Sequence, residues 1–119
     1  QLSYPRYAAL KKEAEKLGAR LVVVIYPTAS QVSKRYWSRQ HQGEAILDNR
    51  AIKEFSEYLG SQDIEYISLL EPFRQEATKA LFIDECHLSK AGHQLAARQI
   101  IAFLQQKEWI RVFENAFYE

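Results

Sequence analysis

Residues 21–27, LVVVIYP, constrain this chain more than any other stretch. The run is short, rich in β-branched residues and apolar without alternation. A strand with one wet face would alternate with polar residues, so this one expects cover on both sides. That is the pattern of a strand in a parallel sheet, with helices packed above and below it.

The flanking periodicities supply those helices. Pro5 suits the first turn of a helix, with Ser3 or Tyr4 as its cap. Tyr7, Leu10, Ala14 and Leu17 share one helical face, and Gly18 stands where such a helix stops. Leu47, Ala51, Phe55 and Tyr58 mark a second amphipathic helix, ended by Gly60. IEYISLL, residues 64–70, reads as a second strand, and Pro72 opens a short helix over 72–80. Ser89 caps a last long helix from Lys90 to Gln106. Ala96, Ala97, Ile100, Ile101, Phe103 and Leu104 give that helix two apolar sides, which predicts thorough burial. Residues 28–43 are polar and irregular. The closing WIRVFENAFYE is aromatic and amphipathic, suited to packing back on the body or to meeting a partner.

The order α-β-α-β-α-α predicts one α/β domain over residues 1–119, with parallel strands. With 47% hydrophobic and 26% charged residues, the chain has the balance of a globular domain. The net charge of +1 comes from interspersed acids and bases, which predicts neither a nucleic-acid stripe nor a membrane-binding face. No apolar run reaches the length of a transmembrane helix. Cys86 is the only cysteine, so an internal disulfide is excluded, and three histidines with no cysteine pair argue against a structural zinc site. Two parallel strands make a poor sheet. The chain also begins at Gln1 and contains no methionine. The expectation is therefore the carboxyl-terminal portion of a larger domain, with further strands upstream.

The chemistry concentrates in FIDECHLSKAGHQ, residues 82–94. Asp84 and His87 stand three apart just before the last helix. Histidine is the usual general base near neutral pH, and a carboxylate on one ring nitrogen orients it and stabilises the imidazolium. An Asp three residues earlier reaches Nδ1 within one turn of loop. The same acids and serine also serve ordinary capping at a helix start. Cys86 lies between the pair; a thiolate near His87 would be reactive, and the bland, favoured reading is a small buried filler. His93 follows one turn into the helix, where lining the site is one reading and packing at the helix start or a hydrogen bond into the loop is the favoured one, and His41 reads as a solvated loop residue. Tyr26 ends the first strand, near the edge where open α/β sheets place their sites, and is a candidate to border a substrate pocket. Tyr36 and Trp37, beside Lys34, Arg35 and Arg39, form an aromatic-basic stretch suited either to stacking on a sugar or partner or to packing as a lid.

The stretch YISLLEPFRQEATKALFIDECHLSKAGHQLAARQIIAFL resembles the carboxyl-terminal block of the SGNH (GDSL-type) hydrolases. The likeness rests on Asp84, His87, Ser89, Gly92, His93 and the Ala96–Ala97 pair. LVVVIYPTASQV is similar to a late central strand of bacterial members. The resemblance spans about residues 8–105, is specific at 82–97 and is loose before residue 60. It implies a flavodoxin-like three-layer α/β/α sandwich that hydrolyses acyl or acetyl esters, carbohydrate esters among them. It also implies that His87 is the base and Asp84 its orienting acid. No metal or organic cofactor is implied, and exported or cell-envelope relatives are common.

The family's Gly-Asp-Ser nucleophile segment and its Gly and Asn oxyanion blocks do not occur here. Ser3, Ser30, Ser33, Ser38, Ser56, Ser61, Ser68 and Ser89 all lack that context. Ser30 and Ser33 follow the first strand, and loop hydrogen bonding is their expected role. The nucleophile is thus expected from the missing amino-terminal portion of the same domain, and these 119 residues alone are expected to show little or no activity. The competing reading is a non-catalytic module that keeps this packing and binds a partner or a second copy of itself through open strand edges. A nucleotide-binding domain would need a glycine-rich phosphate loop, and none is present.

Overall fold

A computed structural model describes residues 4–33 and 49–111. Its elements are α1 (Tyr4–Lys16), β1 (Val22–Ile25), α2 (Ala29–Val32), α3 (Arg50–Ser61), β2 (Glu65–Ser68), α4 (Leu70–Gln75) and α5 (Lys90–Gln106). The alternation is the expected one, with the single turn of α2 added after β1. β1 and β2 pair in parallel, from Val22 opposite Glu65 to Ile25 opposite Ser68. Among the described residues they form a two-stranded sheet.

Strand alternation splits the core in two, because successive side chains point to opposite faces. On one face Val22, Val24 and Ile67 pack with Ala29, Val32, Phe73, Leu95 and Ala96, from α2, α4 and α5. On the other, Val23 and Ile25 pack with Phe55, Tyr58 and Leu59 of α3 and Tyr7 of α1. Helices therefore meet β1 from both sides, as its unbroken apolar run demands. The cover is incomplete, since Ile25 is buried and Val22, Val23 and Val24 are half-buried. Helices above and below a strand do not shield it laterally, and among the described residues β1 has one neighbour.

Some boundaries differ from expectation for local reasons. Gly18 ends α1 in the left-handed conformation, at φ 68°. Gly60 does not end α3, which runs through it. The chain turns at Asp63, which takes φ 54°, a conformation Asp tolerates better than most side chains. Lys11 Nζ donates to the carbonyls of Gln62 and Asp63 at 3.2 and 2.9 Å, satisfying the turn and tying α1 to α3. α4 begins at Leu70, so Pro72 sits within its first turn, and the helix stops at Gln75 instead of continuing to residue 80.

α5 has the predicted limits, with Ser89 as its cap. Its predicted burial on two sides is not found. Gly92, Leu95 and Ala96 are buried, whereas Ala97 and Ile101 are exposed. One side packs on the body, and no described element lies over the other. Trp109 folds back on α5, edge-on to Phe103 with ring centroids 6.0 Å apart. The Arg20 guanidinium stacks 4.8 Å from its ring centre. Among the described residues no helix is long and apolar enough to cross a membrane. Tyr36, Trp37, His41 and their basic neighbours, and the chain after Arg111, lie outside the described residues.

Candidate active site

The 82–94 stretch begins from a buried base. Leu81 is fully buried and Phe82 nearly so, with the Phe82 ring edge-on to Phe73 at 5.8 Å. An antiparallel bridge joins Phe82 to Leu88. Ile83 N–H donates to the His87 carbonyl and Ser89 N–H to the Leu81 carbonyl, each at 2.9 Å. The residues between form a tight loop with its ends clamped together. Ser89 then starts α5, its Oγ accepting the Gly92 N–H at 3.1 Å and donating to the Ala80 carbonyl at 2.5 Å. Gly92 lets the helix come this close. A Cβ there would lie 2.2 Å from the Leu81 carbonyl oxygen, well inside van der Waals contact.

Asp84 organises the tip. Its Oδ1 accepts the backbone N–H of Cys86 at 2.9 Å and of His87 at 2.7 Å. The same carboxylate faces the His87 ring, with Nδ1 2.9 Å from Oδ1 and 2.8 Å from Oδ2. The Cys86 backbone N–H holds the Asp84 carboxyl below its ordinary value, and the hydrogen bonds from His87 push it the same way. An ionised Asp84 only accepts, so the contact assigns a ring proton to Nδ1. This is the local geometry expected of Asp-x-x-His. The His87 and Asp84 side chains are 68% and 54% exposed, so among the described residues no wall closes over them.

The loop is also tied to the exit of β1. Ala29 N–H donates to the Glu85 carbonyl at 2.8 Å. Ser30 N–H donates to Glu85 Oε1 at 3.3 Å, and Ser30 Oγ donates to the same oxygen. The loop thus sits beyond the carboxyl end of β1, where sheets of this class place their sites. Glu85 is the residue that sequence reasoning missed. Its partner lies 55 positions away, and no local spacing announces such a contact.

The hydroxyl of Ser30 is thereby committed to Glu85, in keeping with loop hydrogen bonding. Ser61 Oγ donates to the Tyr58 carbonyl at 2.6 Å and Ser89 caps α5. Ser3 and Ser38 lie outside the described residues. Among the described residues the His87 ring meets Asp84 and Cys86 and no serine.

Cys86 is not a buried filler. It is exposed, with Sγ 3.5 Å from His87 Nδ1. Neighbours in extended chain point apart, but the turn around Asp84 brings these two onto one side. His93 is exposed on the first turn of α5 rather than packed. Tyr26 follows β1 directly and is 49% exposed, at the same end of the sheet as the loop.

No family model, no curated protein and no solved structure matches the chain. Asp84, Cys86 and His87 present a carboxylate, a thiol and an imidazole whose donor atoms all lie within 4.8 Å of one another. The same set can pass a proton or hold a cation. A hollow lined by Lys11, Arg20, Ile64 and Trp109 lies at the opposite, amino-terminal end of the strands, away from these groups.

Proposed function

We propose that Asp84 and His87 are the acid–base pair of a serine ester hydrolase of the SGNH type. The observation that carries this reading is the bond between the Asp84 carboxylate and His87 Nδ1, at the carboxyl end of a parallel strand. In this reading the chain belongs to a flavodoxin-like three-layer sandwich, and the serine is supplied from beyond these residues. His87 Nε2 takes the serine proton as the hydroxyl attacks the ester carbonyl. Asp84 stabilises the imidazolium that forms. His87 then passes the proton to the departing alkoxide, and a water activated the same way releases the acid. The substrate class is an acyl or acetyl ester, including acetylated carbohydrate. Tyr26 borders the pocket, and no cofactor takes part.

The test uses the protein as its gene encodes it, with a small acetyl ester as substrate. His87→Ala should lower turnover about 10²–10⁴-fold, the usual contribution of a positioned general base. Asp84→Asn should also lower it, because an amide no longer stabilises the imidazolium. Unchanged turnover in His87→Ala would sink the reading.

A second reading is favoured by the half-buried valines of β1 and its single neighbour among the described residues. Here the chain is a non-catalytic interaction module that associates through that edge with a second copy of itself. It predicts a dimer by light scattering and no ester turnover. A monomer with esterase activity excludes it.

A further inference from the structure

We propose that the 84–87 tip binds one thiophilic divalent cation of the Zn²⁺ kind, through Asp84 Oδ2, Cys86 Sγ and His87 Nδ1. Ester hydrolysis by Asp84 and His87 gives Cys86 no task, yet its sulfur is turned onto the same ring nitrogen. The 3.5 Å between Sγ and Nδ1 is informative. Zinc holds sulfur at about 2.3 Å and imidazole nitrogen at about 2.0–2.1 Å, so tetrahedral ligands of these kinds stand roughly 3.5 Å apart. The two atoms are already spaced as a pair of zinc ligands.

The carboxylate must move to admit the ion, from a set of donor atoms that all lie within 4.8 Å of one another. Oδ2 lies 2.8 Å from Nδ1. Two tetrahedral ligands at about 2.0–2.1 Å would stand roughly 3.3 Å apart, so it must draw back by about half an ångström. An exposed side chain does this by a small rotation. Oδ1 is also 2.9 Å from Nδ1, so the carboxylate turns off the ring as the ion enters, and the backbone N–H groups of Cys86 and His87 offer the outer support that ligating carboxylates usually have.

Donor chemistry selects the ion. Thiolate with imidazole and one carboxylate suits Zn²⁺ and its soft neighbours, and does not suit Mg²⁺ or Ca²⁺, which require oxygen. Three protein ligands leave a fourth position for water. A closed structural zinc site needs paired cysteines, whereas this open arrangement needs one. Coordination and base function exclude each other, because Nδ1 cannot bind an ion and donate to Asp84 together. The binding itself does not depend on the hydrolase reading; if that reading holds, the ion is an inhibitor.

The experiment titrates the purified protein, as its gene encodes it, with Co²⁺ and, by calorimetry, with Zn²⁺ and Mg²⁺, with no ester present. One Zn²⁺ per chain is expected, with a thiolate-to-cobalt absorption band and no Mg²⁺ heat. Cys86→Ser should abolish the band and weaken Zn²⁺ at least tenfold. His87→Ala should also weaken Zn²⁺, and His93→Ala should change neither signal. Circular dichroism checks that each variant keeps its fold. Absence of the cobalt band, or Zn²⁺ affinity unchanged in both Cys86→Ser and His87→Ala, overturns the site. So does Mg²⁺ competing at similar concentration. Esterase failure alone leaves these readouts unmoved, so the two proposals fall separately.

Discussion

The base and the tip of the 81–92 segment obey different physics. Leu81, Phe82 and Gly92 are buried and close-packed, and Gly92 leaves no room for a methyl group. Asp84, Cys86 and His87, between them in sequence, are exposed and held by hydrogen bonds made largely within the tip. Packing at the base decides where the tip stands, and Asp84 decides how its groups are turned. Stability should therefore reside in the base and chemistry in the tip, so the two can be separated by substitution.

The largest effect should come from Leu81→Ala. A buried leucine cut to alanine loses about 2–5 kcal/mol, read as a lower unfolding midpoint in denaturant. A loss below about 1 kcal/mol would show that the base is not packed as described. Gly92→Ala should follow, at about 1–3 kcal/mol, because the new Cβ meets backbone that can yield only if α5 shifts. That shift would disturb the Ser89 cap, so the Gly92 amide should also lose protection from hydrogen exchange. Wild-type stability in this variant would break the contrast.

The tip should answer to pH instead. Asp84 is held below its ordinary value of 3.8, mainly by the Cys86 N–H. A carboxyl whose pKa is depressed on folding contributes fully above its unfolded value and loses that contribution as pH falls through the folded one. The Cys86 and His87 amide signals should accordingly titrate together, with a midpoint below 3.8. His87→Ala should raise that midpoint only partway, since the Cys86 N–H remains. A full return to the ordinary value would give His87 the larger share. Smallest of all is the expected effect of His87→Ala on the unfolding midpoint near neutral pH, where an exposed ring contributes little packing. A clear drop would show that the tip supports the fold.

Much of this was legible in the sequence because it is local. The limits of α5, the Ser89 cap and the reach of Asp84 to His87 all depend on residues within one helical or loop turn. The two-sided cover of β1 was legible because an apolar run without alternation admits few other placements. What failed involved competition between neighbours. Gly60 permits a helix stop without requiring one, and Asp63 took the left-handed turn while Lys11 satisfied its carbonyls. Cys86 looked like a core filler by type, but its place at a clamped loop tip put it in solvent.

By itself, then, the sequence determined the alternation of helices and strands, the unbroken apolar character of β1 and the Asp-His pair, since each is encoded in the spacing of adjacent residues. Tertiary structure alone decided that Glu85 reaches Ser30, that Cys86 turns onto His87 and that the valines of β1 stay half-covered. The Glu85 contact joins atoms 55 positions apart, and the cover of β1 depends on which elements flank the sheet. Those distances are set by how layers pack, which no local pattern of residues records.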